Sequence, residues 1–346
     1  MVLLILFAAA RYPSHVLKES GLTFDLFNIS FQYHIPSISV RTSVQKNIRE
    51  NLNNMLQINI FMNNKSDSKK KSFEFIKISE PPSKPRDYGI IEIRGPYYTT
   101  VTTTYLQDLL DMWAEYIDGF KFAGGSQRLL SVDILKEIID ICHKHDVYVS
   151  TGGFIERVIV QGSEAVDRYL EECKLFGFDI VEVSSGLAPI HLKDKVEIVR
   201  HIKKIGMKPK PEISMMIGAG AGTHIVGYEE ELTKLRPLED LIEEVNMHKQ
   251  AGAEIMMIES EGITEDLPPE RWRIDVIKKL DEKFGFESFM FEASDPPVFK
   301  WYLKNFGSNV NLFIDHSQIV EFTAWRTKLW GDKDIWKDKP IRYHYH

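Results

Sequence analysis

The chain has 346 residues, 43% hydrophobic, 27% charged and 11% aromatic, which is enough apolar material for a sizeable core and excludes disorder throughout. Forty-three Lys and Arg against fifty Asp and Glu leave a net charge of -7, so no general basic field exists to attract a nucleic-acid backbone, and no nucleic-acid partner is expected. Cys142 and Cys173 are the only cysteines, without CxxC spacing or a Cys/His cluster, which points to a reducing, cytoplasmic setting and away from zinc.

Residues 1–83 read as a loosely ordered extension. Leu3 to Ala10 is an apolar run too short to span a bilayer, and no Lys or Arg precedes it as in a secretory leader, so no membrane partner is expected. Arg11 to Lys71 shows no sustained period and closes on the polar, basic run Asn63 to Lys71.

From Lys84 to about 332 the chain repeats one unit: a short apolar or β-branched run, a loop, a helical stretch, then glycine. The strand candidates are Gly89 to Ile93, Gly119 to Phe122, Tyr148 to Thr151, Ile180 to Val183, Lys210 to Ser214, Ile255 to Glu259, Ser288 to Glu292 and Asn309 to Phe313. Between them, Val132, Leu135, Ile138, Ile139 and Cys142 form one helix face behind a Ser131 N-cap, and Val196, Val199, Ile202 and Ile205 form another. Gly177, Gly206, Gly252, Gly285 and Gly307 stand where each helical pattern stops. Eight such units predict a single α/β domain, a (β/α)8 TIM barrel over 84–332, followed by a short solvated tail at 333–346. Gly218 to Gly222 lacks the dinucleotide-binding spacing and reads as a loop over the site.

A barrel carries its chemistry at the C-terminal ends of its strands, and those ends are acidic here. Glu182, Glu212, Glu259 and Glu292 fall on consecutive strands, and Glu156 follows the third. Like carboxylates cannot all stay bare at one rim. A divalent cation resolves the conflict, and an all-oxygen donor set suits Mg²⁺; pairing of individual glutamates with nearby Arg or Lys is the alternative. Arg94, Lys121 and Arg157, with the amides of the Gly152-Gly153 turn, are candidate anion binders, unless they serve as counter-ions to those glutamates. Asn311 is a candidate substrate contact or a member of a satisfied polar layer. Lys121, Glu156 and Glu212 are the candidate catalytic groups. His191, His224 and His316 lack ligand spacing and read as structural.

Several segments resemble the phosphosulfolactate synthase family: Lys84-Pro85-Arg86, Gly152-Gly153-Phe154-Ile155-Glu156, the run Gly177 to Gly186, Pro211-Glu212-Ile213, Ala251-Gly252-Ala253, Glu259, Phe291-Glu292-Ala293 and Asn309-Val310-Asn311-Leu312. The resemblance implies a (β/α)8 barrel that adds sulfite to phosphoenolpyruvate with Mg²⁺, a carbon–sulfur lyase. Its expected partners are a small phosphorylated carboxylic acid and sulfite, and a homo-oligomer is left open. Three positions depart from the family pattern. Met216 stands where the family has lysine, Ser260-Glu261-Gly262 replaces an arginine-containing run, and Arg94 stands near a family acid. Plant heat-stress-associated proteins share the resemblance, so a binding or protective barrel without turnover is the second expectation.

Overall fold

Strands that are apolar on both faces need cover on both, and a ring of strands inside a ring of helices provides it. The computed structural model, which describes residues 71–186, 190–216, 235–265, 267–293 and 295–331, shows that closure. Eight parallel strands pair in chain order and the last returns to the first. They are β1 (Ile91–Arg94), β2 (Gly119–Lys121), β3 (Tyr148–Ser150), β4 (Ile180–Val183), β5 (Lys208–Ile213), β6 (Met256–Ile258), β7 (Phe289–Glu292) and β8 (Leu312–Asp315). The predicted (β/α)8 architecture is therefore present.

The helices used below are α1 (Thr103–Trp113), α2 (Val132–Lys144), α3 (Ile155–Ile159), α4 (Ser163–Phe176), α5 (Leu192–Lys204) and α6 (Leu238–Gln250). Ser131 caps α2, its Oγ accepting from Ile134 N, and Leu135, Ile138, Ile139 and Cys142 are buried as expected. Val132 is 50% exposed and lies off that face. The five expected helix-ending glycines all have positive φ, as at Gly177, where φ is 96°.

Two apolar layers result. The larger lies between sheet and helices and holds Ile91, Ile93, Val181, Val183, Ile213 and Ile258. The smaller, Met257, Met290 and Phe313 with Ile90 and Ile255 against it, fills one side of the lumen. The other side is charged. Gly119 is required there, because a Cβ would sit 2.2 Å from the Tyr148 ring.

The N-terminal end of the barrel is closed by polar ties. Arg86 Nη1 pairs with Asp118 Oδ1 at 2.6 Å, Lys84 Nζ donates to the Asp146 carbonyl, and Arg326 Nη2 donates to the Gly89 carbonyl. Asn311 belongs to this end. β8 begins three residues later than its sequence pattern suggested, at Leu312, so Asn311 precedes the strand. Its Oδ1 accepts from Ile90 N at 2.8 Å and its Nδ2 donates to the Phe289 carbonyl at 2.9 Å. These bonds tie the Asn311 amide to the backbone at the end opposite the strand C-termini.

The chain divides after Phe75, and the unit that contains the barrel begins at Ile76. Within it Ser79 N donates to the Thr327 carbonyl at 2.8 Å. The Leu3 to Ala10 run, most of the 1–83 extension, the Gly218 to Gly222 stretch, His224 and the tail at 333–346 lie outside the described residues. Among the described residues no helix is long and apolar enough to cross a membrane, and Cys142 and Cys173 are buried free thiols.

Candidate active site

Strand register decides which side chains enter the lumen. On β1, Ile91 and Ile93 pack outward beneath the helices, so Glu92 and Arg94 point inward. Ion pairs across the barrel follow from this. Lys210 Nζ on β5 lies 2.5 Å from Glu92 Oε1 and 3.2 Å from Glu182 Oε2, and Lys121 Nζ on β2 lies 2.8 Å from Glu182 Oε1. Two carboxylates thus face two ammonium groups in a layer with almost no solvent contact.

Burial alone would raise the Glu182 carboxyl, but Lys121 and Lys210 outweigh it and hold it below the ordinary carboxylate range. Burial likewise opposes the Lys121 ammonium, and the negative charge of Glu182, with Glu212 and Glu92 behind it, raises its pKa instead. Glu182 was expected among the metal ligands. Both of its oxygens face lysine ammonium groups, Oε1 that of Lys121 and Oε2 that of Lys210.

Above this layer, towards the strand C-termini, the charge is not balanced. Glu212 on β5, Glu259 just past β6 and Glu292 on β7 converge here. Arg94 Nη2 pairs with Glu292 Oε1, and no ion pair reaches Glu212 or Glu259 among the described residues. Burial first, and then Glu182, push Glu212 up to about 8. Burial, Glu292 and Glu212 push Glu259 well above the ordinary range. Burial also acts on Glu292, but the hydrogen bond from Glu259 and the charges of Arg94 and Lys121 hold it low. Burial and the neighbouring carboxylates thus favour the protonated forms of Glu212 and Glu259.

That proton uptake sets a pH dependence. Between the unfolded value near 4.5 and about 8, native Glu212 holds a proton that the unfolded chain has released. The native state therefore loses stability as pH rises through this window, by at most about 1.4 kcal/mol per pH unit for one group. Glu259 acts in the same direction. Denaturant titrations of the metal-free protein at pH 5 and pH 8 are expected to show lower stability at pH 8, and Glu212→Gln is expected to flatten the difference; an unchanged slope in that variant would refute the assignment.

A carboxylate oxygen from each of Glu259, Glu261 and Glu292 lies within 4.8 Å of the others. Two of the four expected metal ligands thus come together, joined by Glu261, which the sequence reading did not assign to the metal. Hard oxygen donors, and protons retained where a divalent cation could replace them, fit Mg²⁺.

Glu156 sits at the rim between the third and fourth strands. Its Oε1 accepts from Ser184 Oγ and, at 3.0 Å, from Gly186 N. Gly152 has φ 60° and approaches so closely that a Cβ would lie 2.0 Å from the Phe122 carbonyl. A Cβ on Gly153 would meet Ser184 Oγ at 2.4 Å. The turn therefore packs against Ser184 and its partner Glu156. Arg157 is exposed on α3 and joins none of these ion pairs.

Between the ends of β4 and β5 opens a cavity of about 170 Å³, lined by Gly186, Lys195, Glu212, Ser214, Met216 and Arg236 among others. Buried Lys195 Nζ donates to Glu244 Oε1 at 2.8 Å, to the Glu212 carbonyl at 2.8 Å and to Ser185 Oγ at 3.2 Å. Arg236 Nη1 pairs with Glu244 Oε2 at 2.8 Å. Burial opposes ionisation of Glu244, but Lys195 and then a hydrogen bond from His248 and the charge of Arg236 hold it well below the usual range.

Arg94, Glu212, Glu259 and Glu292 share the upper lumen, with Lys121 and Glu182 in the paired layer beneath them; Glu156, Gly152 and Gly153 form its rim; Arg157 and Asn311 stand apart. The sequence reading missed Glu92 and Lys210. A lysine inside a buried strand, two residues before Glu212, was the available signal, since such a charge must find a carboxylate.

Comparison with known proteins places these residues in a family. Residues 79–332 match the family described as (2R)-phospho-3-sulfolactate synthase (ComA). Protein HEAT-STRESS-ASSOCIATED 32 of Arabidopsis thaliana is 34% identical over 269 residues, covering 75% of this chain and 93% of that protein. Phosphosulfolactate synthase of Methanocaldococcus jannaschii is 26% identical over 234 residues, covering 66% and 88%. That of Methanothermobacter thermautotrophicus is 24% identical over 268 residues, covering 75% and 96%. With the match running from the first bonded residues ahead of β1 to the end of the last barrel helix, the chain belongs to the (2R)-phospho-3-sulfolactate synthase family.

Proposed function

We propose that the protein is a carbon–sulfur bond-forming lyase of the phosphosulfolactate synthase type, acting on phosphoenolpyruvate or a related phosphorylated carboxylic acid with sulfite. The observation that carries the reading is the excess of carboxyl groups at the C-terminal mouth, Glu212, Glu259 and Glu292, two of which burial and like charge push towards their protonated forms. Glu259, Glu261 and Glu292 would hold Mg²⁺. Bound there, the ion would supply Lewis-acid stabilisation of charge gathering on the substrate carboxylate.

The remaining chemistry belongs to the chain. Sulfite sulfur attacks the methylene carbon of the enol phosphate, the S–C bond forms as the C=C π pair moves to the neighbouring carbon, and that carbon takes one proton. Glu212, neutral near physiological pH and lining the cavity, is the proton donor. Lys121 keeps Glu182 ionised beneath it and adds positive potential for anionic substrates, as does Arg94. Glu156 orients the rim by fixing Ser184 and Gly186.

The experiment mixes purified protein with phosphoenolpyruvate, sulfite and Mg²⁺ and follows loss of the enol phosphate absorbance. Turnover that EDTA abolishes is expected. Mg²⁺ is also expected to raise the melting temperature more at pH 8 than at pH 6, because its ligands must release protons to bind it; a hundredfold excess over Kd corresponds to about 2.7 kcal/mol. Glu259→Gln should remove that shift. Absence of both turnover and any Mg²⁺ shift would overturn the reading. Met216 and the heat-stress-associated relative favour a second one, a barrel that binds without turnover, and it predicts a ligand-induced melting shift with no product.

A further inference from the structure

Arg94 has more donors than the protein uses. Its side chain is 6% exposed; Nη2 is taken by Glu292, and Nη1 has no hydrogen-bond acceptor among the described residues. A buried donor left in that state costs about 1–3 kcal/mol. Among the described residues the Tyr98 hydroxyl acts on the guanidinium, but Nη1 itself keeps no acceptor. Aromatic rings surround the guanidinium, with Tyr98, Phe313 and Tyr97 centroids 4.9, 5.1 and 5.4 Å from Cζ. Ring faces attract the charge but accept no in-plane hydrogen bond.

The two tyrosines are placed rather than loose. Their rings meet edge to face at 4.8 Å, while Tyr97 is 56% and Tyr98 71% exposed to the mouth. Just beyond them, Thr99 Oγ1 lies 3.1 Å from His316 Nε2, and Tyr105 OH lies 2.9 Å from His316 Nδ1, fastening this loop and the start of α1 to the end of β8. The loop after β2 makes room, since a Cβ on Gly124 would meet the Tyr97 ring at 2.6 Å.

We propose that Arg94 is a specificity-determining anchor for the carboxylate of the substrate, with Tyr97 and Tyr98 flanking the carbon skeleton next to it. One remaining Nη group, with Glu292 already on the other, suits a singly charged oxygen acid. A phosphate dianion is disfavoured because Glu292 and Asp315 both act on this guanidinium from the protein side. The inference rests on the small-carboxylic-acid reading above and adds which end of the substrate faces β1.

Ligand-observed NMR with the full chain and three probes tests it: phosphoenolpyruvate, pyruvate and inorganic phosphate. Arg94→Gln is expected to weaken pyruvate and phosphoenolpyruvate by about 10- to 100-fold and leave inorganic phosphate within about twofold, the cost of one charge-assisted bond. Tyr98→Ala, an exposed position, should weaken both organic acids by several-fold without affecting phosphate or the melting temperature, which keeps the test valid if Arg94→Gln unfolds. Arg94→Lys should recover part of the pyruvate affinity. Equal losses for phosphate and pyruvate, or none for either, overturn the anchor while leaving the family reading intact. Failure of all three probes to bind the natural protein removes both.

Discussion

Lys210→Met is expected to lower the unfolding free energy by about 3–5 kcal/mol, the cost of leaving buried carboxylates without their cation. For a barrel of this size that corresponds to a melting temperature lower by roughly 10 °C. The size of the effect follows from the surroundings. Lys210 is 0% exposed and, among the described residues, is the only ammonium within salt-bridge distance of Glu92, which is also 0% exposed. It also shares Glu182 with Lys121. Methionine matches the lysine stem in length, so the change removes charge more than packing. Glu92→Gln combined with Lys210→Met should recover a substantial part of the loss by the same logic, and chemical denaturation of the two variants checks it. If the double variant is as unstable as the sum of the single ones, the pair is not coupled and the layered account of the lumen is wrong.

The pattern of apolar runs and terminal glycines was sufficient for the barrel, because each strand's need for cover is local and repeats. The eighth strand was misplaced by a few residues for an equally local reason. Asn309-Val310-Asn311 alternates like a strand, but the Asn311 amide substitutes for backbone partners at Ile90 and Phe289, and regular pairing starts only at Leu312. The site was legible as a set of strand ends, which is why Arg94, Lys121, Glu212, Glu259 and Glu292 were found together. What could not be read was their pairing. Lys210 and Glu92 are 118 residues apart and meet only across the closed ring. Glu182 therefore looked like a free ligand in the sequence, whereas its two lysines come from β2 and β5. Glu261 joins Glu259 and Glu292 because the turn after β6 folds back, with Thr264 N and Glu265 N both donating to the Ser260 carbonyl.

Met216→Lys is expected to raise the rate of sulfite addition by on the order of 10²-fold, the usual weight of one charged group placed against developing charge. The residue lines the cavity together with Glu212 and Arg236, so a lysine head there would enter the space beside Glu212, the proposed proton donor. Its stem has a place to lie. Met216 bridges to Leu235 in antiparallel fashion, and a Cβ on Gly262 would meet the Leu235 and Met216 side chains at 2.7 and 2.8 Å, so apolar contact already lines the path. The ammonium would then stand near Glu212, whose pKa is raised by burial and the Glu182 charge and only partly offset by Lys121. A cation added beside it favours the ionised form, so the Glu212 titration should move down from about 8. Lysine then takes over as proton donor. Two readouts separate this outcome from a general effect on folding: the alkaline limb of the pH–rate profile, which should follow the lysine in the variant, and the stability difference between pH 5 and pH 8, which should shrink as Glu212 gives up its proton. A variant with unchanged rate and an unchanged pH profile would mean that position 216 does not contact the reacting atoms, and the loss of lysine there could no longer be used to argue for a barrel that binds without turnover.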